Sequence, residues 1–240
     1  MKLNRKYQYV SGSSTTEHGA RTYDIHGYKL PSVTTILAKT KDQSYLTRWK
    51  EKVGNEEAER IKNYSSKRGT AMHKFLEKHI TGVGYEDLTA IGQEARPMAQ
   101  KIIDVGLTPV SEYYGSEVTL YYPGLFAGST DLVCLHNDLP TIIDFKQANR
   151  PKRKEWIEDY YLQIAAYALA HDYGYGSEIQ QGLILVCTPD LYLQEFRFQG
   201  IEMRDWKHKF LKRLDMYFEL QHDEKEQAKV GKINFEQDRI

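Results

Sequence analysis

Cysteine is scarce in this chain of 240 residues, and apolar runs long enough to cross a membrane are missing. Two cysteines cannot supply the four thiolates that hold an iron–sulfur cluster. Cys134 and Cys187 both stand in apolar, strand-like segments, so we expect small buried hydrophobic residues. The N-terminal residues lack both the apolar core of a secretory signal and the Arg- and Ser-rich composition of a transit peptide. These absences argue against a membrane-spanning or exported protein.

An excess of one charge is missing too, because 33 Lys and Arg residues balance 33 Asp and Glu residues. This balance is not that of a protein that coats nucleic acid in bulk, although basic groups can still be concentrated locally. The chain also has no long Pro-, Gly- or Ser-rich linker, repeat or low-complexity tract. We therefore expect one structural domain with three parts: an N-terminal extension and helical arm over 1–66, a core over 67–222 and a polar tail over 223–240.

Acidic residues interrupt two apolar segments between residues 117 and 146. Asp131 ends the segment 125–131, and Asp144 and Lys146 lie in the segment 141–146. A buried carboxylate is costly unless it is paired or binds a metal. Because side chains alternate along a strand, Asp144 and Lys146 share one face and Phe145 takes the other. Two carboxylates beside an ammonium are the groups that a metal-assisted phosphodiesterase needs.

The same pattern has a simpler explanation, since Asp and Lys two residues apart on a strand are often a surface ion pair. The surrounding residues favour a site. Glu117 opens a β-branched and aromatic strand, and a meander would bring it near Asp131 and Asp144. Gly128 within the next strand indicates a bulge or a close approach of another group to the backbone.

Two predicted helices add further polar groups. His73 and Glu77 lie four residues apart, so they share a face of the helix near 67–80, opposite the apolar Met72 and Phe75. A neutral imidazole could complete a metal site already held by carboxylates, although most histidines on helices are not ligands. Gln163 and Tyr167 share a face of the helix near 155–173. They either fill the core or brace the site.

Five motifs stand in one order: Gly69-x-x-x-His73, Glu117, Gly128-x-x-Asp131, Asp144-x-Lys146 and Gln163-x-x-x-Tyr167. These motifs and their order resemble those of the RecB-like branch of the PD-(D/E)XK nuclease superfamily. Segments 30–37, 45–50 and 181–186 are similar to segments of the mitochondrial genome maintenance exonucleases and their phage relatives. The likeness covers roughly residues 28 to 220. Two departures are Gln147, where Thr or Ser often follows the lysine, and Ser129-Thr130, where the superfamily's Pro-Asp pair would precede Asp131.

The resemblance implies a Mg²⁺- or Mn²⁺-dependent exonuclease that hydrolyses phosphodiester bonds of single-stranded DNA from free ends. Metal ligands would be His73, Asp131 and Asp144, and Lys146 would be catalytic together with Asp131, Asp144 and Glu117. Gln163 and Tyr167 would bind DNA or support the site. The helical arm would admit a single strand and exclude a duplex.

Further DNA contacts are expected from basic and aromatic residues. Arg68 precedes the Gly69 motif, and Lys152 and Arg153 belong to a basic run just beyond Lys146, where they could steer a nucleic-acid backbone. A solvated loop is the alternative. Among many aromatic residues, Trp49 is the first candidate for base stacking, and a core role is the alternative.

The predicted architecture is an α/β fold, in which helices flank a central mixed β-sheet. Helices are expected near 45–62, 67–80, 91–105, 155–173 and 201–222, and strands near 115–122, 125–136, 140–146, 182–188 and 192–198. The 155–173 helix should connect two parallel strands in the right-handed sense.

Two other functions stay open: an endonuclease of the same superfamily, and a non-catalytic DNA-binding module. A cytoplasmic place in a bacterium or phage-infected bacterium is expected, with partners among phage or host replication and recombination proteins and no membrane. A mature mitochondrial form is the alternative.

Overall fold

A computed structural model describes residues 3–42 and 44–237, and the side chains at 45, 46, 225 and 227–237 lie outside that description. Eight strands and six α-helices are described there. The strands are β1 Ser13–Glu17, β2 Ala20–Ile25, β3 Tyr28–Pro31, β4 Val110–Tyr122, β5 Phe126–His136, β6 Leu139–Gln147, β7 Gln181–Cys187 and β8 Leu193–Gln199. The helices are α1 Val33–Thr40, α2 Ser44–Val53, α3 Asn55–Thr81, α4 Ala90–Lys101, α5 Glu158–Tyr175 and α6 Ile201–Gln237.

The central sheet has five strands in the order β4-β5-β6-β7-β8. Only β6 and β7 are parallel within it, and α5 connects them as predicted. Every residue of β7 is buried, as expected for a strand covered on both faces. Its neighbours Leu183 and Ile184 point to opposite sides, one toward the cluster that contains α3 and α4, the other toward α5 and α6. The mixed sheet flanked by helices confirms the predicted fold class.

The predicted helical arm is only partly correct. Residues 13–31 form a separate three-stranded antiparallel sheet, β1-β2-β3, which packs on Tyr121 and Ala127 at the tip of the β4–β5 hairpin. The short strands are mostly polar and end in His-Gly turns, so they carry little apolar alternation to reveal them. The helix α1 was also not predicted. It begins after Ser32, whose Oγ accepts a hydrogen bond from the Thr35 backbone N–H.

Other helix bounds shift as well. The predicted break between residues 62 and 67 is wrong, because α3 runs without interruption from Asn55 to Thr81. The break lies instead at Gly54, whose φ of 87° a glycine adopts readily. A π-helical turn, Ile102–Gly106, continues α4, and α6 extends beyond residue 222 into the predicted polar tail. Both cysteines are buried and free, as predicted.

No described helix is long and apolar enough to cross a membrane.

Candidate active site

The C-terminal end of β6 carries a buried acid beside a lysine. Asp144 Oδ2 lies 2.5 Å from Lys146 Nζ, and the Asp144 side chain is only 2 % exposed. Phe145 points to the opposite face and is buried in the core beside α3 and α4, as strand alternation predicts. The burial of Asp144 excludes the simpler explanation of a surface ion pair. Within the described chain, no residue donates a well-aligned hydrogen bond to its Oδ2, so the lysine contact there is ionic.

Pairing of β4 with β5 brings Glu117 opposite Asp131. Their neighbours are in register, Ser116 with Leu132 and Val118 with Thr130. Glu117 has a positive φ of 53°, a conformation that costs a non-glycine residue roughly 1–2 kcal/mol. Residues held in this strained region cluster at functional sites. The strand pairing therefore makes Glu117 part of the site, although its position at a strand start gave the weakest sequence signal.

His73 reaches the same place from α3. Its Nδ1 lies 3.3 Å from Asp131 Oδ1 and 3.7 Å from Glu117 Oε1. The other Asp131 oxygen accepts a hydrogen bond of 2.6 Å from the backbone N–H of Phe145, which fixes the carboxylate on β6. One ligand atom from each of His73, Glu117 and Asp131 can be chosen so that all lie within 4.8 Å of one another. These three residues, with Asp144 beside them, form what we call the acidic site.

The donor set of the acidic site suits a hard divalent cation. Carboxylate oxygens are the ligands that Mg²⁺ and Mn²⁺ prefer, and an imidazole can be added to them. Asp144 adds no free ligand atom at this oxygen, because its Oδ2 contacts the Lys146 ammonium at 2.5 Å. Of the predicted ligands, His73 and Asp131 lie together with Glu117, whereas Asp144 contacts Lys146 instead.

Electrostatics in the acidic site favour positive charge. Burial alone would lower the pKa of His73, but the charge of Asp131 and hydrogen bonds with Asp131 and Glu117 raise it to about 10. Burial likewise opposes the ionised form of Asp131, yet His73 and Lys146 bring its pKa below the usual range. For Asp144, burial and the nearby Asp131 raise the pKa to about 6 in spite of Lys146. The site therefore attracts cations, whether protons or metal ions.

Lys146 is positioned by α5. Its Nζ donates to Gln163 Oε1 at 3.3 Å, and Gln163 Nε2 donates to the Tyr167 hydroxyl at 3.2 Å. Tyr167 is buried and lies so close to Gly128 that a Cβ there would be 2.6 Å from its ring. Gln163 thus contacts the lysine directly, and Tyr167 acts on it through Gln163. The close approach expected at Gly128 is confirmed, and Tyr167 is the group that approaches.

Tyr160 also contacts the lysine, with its ring centroid 5.0 Å from Lys146 Nζ. It was not among the predicted site residues. The spacing of Tyr160, Gln163 and Tyr167 at i, i+3 and i+7 places them on one helix face, and that spacing was the available signal.

Arg68 points into the protein and is 3 % exposed. Its guanidinium donates to the side-chain oxygens of Gln147, Asn149 and Glu94. Gln147 Nε2 in turn donates to the Ser65 carbonyl. Two residues of α3, Ser65 and Arg68, therefore bind the end of β6 through Gln147. Arg68 was expected to bind DNA or support the site, and its burial favours the supporting role. It holds the residue that follows Lys146.

The remaining predicted DNA contacts lie at the periphery. Lys152 and Arg153 are in the loop between β6 and α5, where Arg153 is exposed. Trp49 is on α2 and is partly buried. None of these three residues lines the open cleft of about 500 Å³ at the acidic site. The cleft is lined by Ser65, Ser66, Gly69, Thr70, His73, Lys74, Glu77, Glu117, Lys146 and Gln147.

The fold and the site together define a class of protein: an α/β protein with an acidic cluster and an adjacent lysine on neighbouring strands of a mixed sheet. No family model matches the chain, and no curated protein is similar to it. Among solved structures, it is similar to a protein from Eubacterium rectale with a provisional exonuclease designation, at 13 % identity and a TM-score of 0.45. That alignment covers 62 % of this chain and 64 % of the other.

A second similarity is to an alkaline exonuclease from Laribacter hongkongensis, at 17 % identity and a TM-score of 0.33. It covers 67 % of this chain and 85 % of the other, and that enzyme has also been solved in complex with dAMP, where the TM-score is 0.32.

Proposed function

We propose that this protein is a Mg²⁺- or Mn²⁺-dependent deoxyribonuclease. The observation that carries the proposal is the convergence of His73, Glu117 and Asp131 on one point, with the buried Asp144–Lys146 pair beside them. His73, Glu117 and Asp131 would hold the metal, and Asp144 would join them by giving up its contact with Lys146. A metal held by these residues would polarise a phosphate and would lower the pKa of an attacking water.

Lys146 would act as an ammonium. Burial tends to lower its pKa, but Asp144 and Asp131 outweigh burial and raise the pKa, so the lysine is protonated at neutral pH. A protonated lysine cannot accept a proton from water. It can orient the water and stabilise the negative charge that develops on the phosphate. Gln163 accepts one of its hydrogen bonds and fixes the direction of the others.

The substrate proposed is single-stranded DNA attacked from a free end, which is what the sequence resemblance implies. The separate β1-β2-β3 sheet packs on the tip of the β4–β5 hairpin, the hairpin that carries Glu117 and Asp131. A structure on that hairpin could restrict which nucleic acids enter the cleft. The proposal includes a role in phage or bacterial DNA metabolism, with replication or recombination proteins as partners.

The test is cleavage of end-labelled linear and closed-circular single-stranded DNA with Mg²⁺, with Mn²⁺ and with EDTA. We expect metal-dependent loss of the linear DNA alone. Lys146→Ala should lower single-turnover cleavage by about 10²- to 10³-fold, as removal of an electrostatic stabiliser does, while oligonucleotide binding persists. Cutting of circles would indicate an endonuclease instead.

Metal binding is tested separately from cleavage. Asp131→Asn should weaken Mn²⁺ binding measured by calorimetry, because it removes a ligand charge at the centre of the site. Glu57→Gln is the matched control. Glu57 is on the same helix as His73, about 24 Å from it along the helix axis, and its carboxylate pairs with Arg60. Equal Mn²⁺ binding by both variants would remove the assignment of the site. A chain that binds Mn²⁺ and DNA without cleavage would be a binding module.

A further inference from the structure

Trp156 has a largely exposed aromatic side chain four residues before Tyr160, and the proposed function does not use it. Its side chain is 62 % exposed at the end of a 3-10 turn, Lys154–Trp156, between β6 and α5. Exposed tryptophans are unusual because the indole has a large apolar surface. This one follows a run of basic residues, Arg150, Lys152, Arg153 and Lys154.

The loop that carries Trp156 is fixed at several points. Gln194 on β8 makes two hydrogen bonds with the backbone of Lys152: its Oε1 accepts from the Lys152 N–H, and its Nε2 donates to the Lys152 carbonyl. Lys154 pairs with Glu202 at 2.8 Å. The next residue, Ile157, is 1 % exposed and anchors the turn in the core. The exposed indole is therefore held in place at its base, which is the requirement for a preorganised binding surface.

Arg153 lies over the indole, with its guanidinium carbon 5.2 Å from the ring centroid. A cation on one face of the ring orients it and still leaves a large exposed area. The pair thus offers a flat aromatic surface beside a positive charge. Groups that combine a flat aromatic face with an adjacent negative charge are the complement, and a nucleotide has both.

The loop leads directly to the catalytic lysine. Tyr160, whose ring is 5.0 Å from Lys146 Nζ, is four residues after Trp156, so their Cα atoms are at most about 14 Å apart. The indole therefore lies within the length of a few nucleotides from Lys146. Bases of a duplex are stacked on each other and cannot use such a surface, whereas unpaired bases can.

We infer that Trp156 and Arg153 form a subsite that stacks an unpaired nucleobase of the DNA strand whose phosphate is held at the acidic site. The inference rests on the proposed function and specifies its substrate as a single strand. Arg153 contributes charge to the neighbouring phosphate, and Trp156 contributes the stacking surface.

The test is equilibrium binding of fluorescein-labelled oligothymidylate, measured by anisotropy in EDTA so that no cleavage occurs. A second oligomer has the same phosphates and abasic sugars. Trp156→Leu should weaken binding of oligothymidylate about 10-fold and leave binding of the abasic oligomer unchanged, because it removes only stacking. Trp156→Phe should recover part of the loss. Arg153→Ala should weaken binding of both oligomers.

Tyr173→Leu is the matched control. Tyr173 is 59 % exposed, almost as much as Trp156. It lies near the C-terminal end of α5, about 22 Å along the helix axis from Glu158, the first residue of α5. We expect this variant to bind both oligomers like the native chain. Thermal unfolding of each variant checks that the fold is intact.

Three results would overturn the inference: equal losses for the two oligomers in Trp156→Leu, no loss for either, or no oligonucleotide binding by the native chain. Failure of the nuclease proposal looks different. A chain that binds oligothymidylate through Trp156 but does not cleave it with Mg²⁺ or Mn²⁺ would refute the nuclease and retain the subsite.

Discussion

Replacing Gly128 by alanine tests whether the path from Lys146 through α5 is packed as described. An alanine Cβ would lie 2.6 Å from Tyr167 Cε1 and 3.0 Å from its hydroxyl oxygen. Ordinary carbon contacts are about 3.5–4.0 Å, so the ring and the strand must separate by about 1 Å. Tyr167 is 2 % exposed and its ring is rigid, so it cannot turn away at low cost.

The expected size follows from this overlap. Overpacking of a filled core costs about 1–3 kcal/mol of the free energy of unfolding. A movement of about 1 Å would also lengthen the 3.2 Å hydrogen bond from Gln163 to Tyr167 beyond a useful distance. Gln163 would then lose the partner that directs its oxygen to Lys146, so cleavage at saturating DNA should fall with little change in binding.

Urea unfolding monitored by circular dichroism measures the first effect, and single-turnover cleavage measures the second. Gly174→Ala is the control, because Gly174 is in the same helix as Tyr167 and a Cβ there meets no atom within 4 Å. That variant should be as stable as the native chain or more stable by up to about 1 kcal/mol.

The double variant Gly128→Ala with Tyr167→Leu should be less destabilised than the sum of its two single variants, because the smaller side chain relieves the contact. If the free energy of unfolding of Gly128→Ala is within about 0.5 kcal/mol of the native value, the close approach of Tyr167 to Gly128 is wrong. Additive losses in the double variant would lead to the same conclusion.

Two further predictions concern buried polar groups. Arg68→Ala should lower the free energy of unfolding by about 2–4 kcal/mol, because Gln147 loses its partner. It should also slow cleavage without weakening DNA binding in EDTA. Weakened binding with normal turnover would instead support a direct DNA contact by Arg68. His171 is fully buried against Tyr9, and burial lowers its pKa to about 4. The unfolded chain therefore binds more protons below about pH 6.5, and the free energy of unfolding should drop by up to about 3 kcal/mol as the pH falls toward 4. Urea titrations at several pH values should show a flatter acid limb in His171→Gln, and identical acid limbs would contradict the assignment.

Strand alternation was enough to predict much of the central sheet. The strands β5 to β8 lie within one residue of their expected ends, because buried strands carry dense β-branched and aromatic residues bounded by turns. The start of β4 was placed five residues late, since bulges interrupt its alternation before Gly115. The mostly polar β1 to β3 carry too little apolar alternation to be predicted.

Local sequence also determined part of the site. Asp144 and Lys146 share a face because residues two apart on a strand must do so, and the pairing of Gln163 with Tyr167 follows from helical spacing. Gly128 signalled a close approach, although the sequence did not identify the group that approaches. These features depend on neighbours within a few residues.

Only the tertiary structure decided which of these groups meet. The register of β4 on β5 brings Glu117 opposite Asp131, and α3 packs on β4 and β6 so that His73 reaches both. Packing likewise turned Arg68 inward and left Trp156 exposed. Such contacts join residues that are tens of positions apart. Their geometry depends on how whole elements pack, which is a property of the complete core and not of any local pattern.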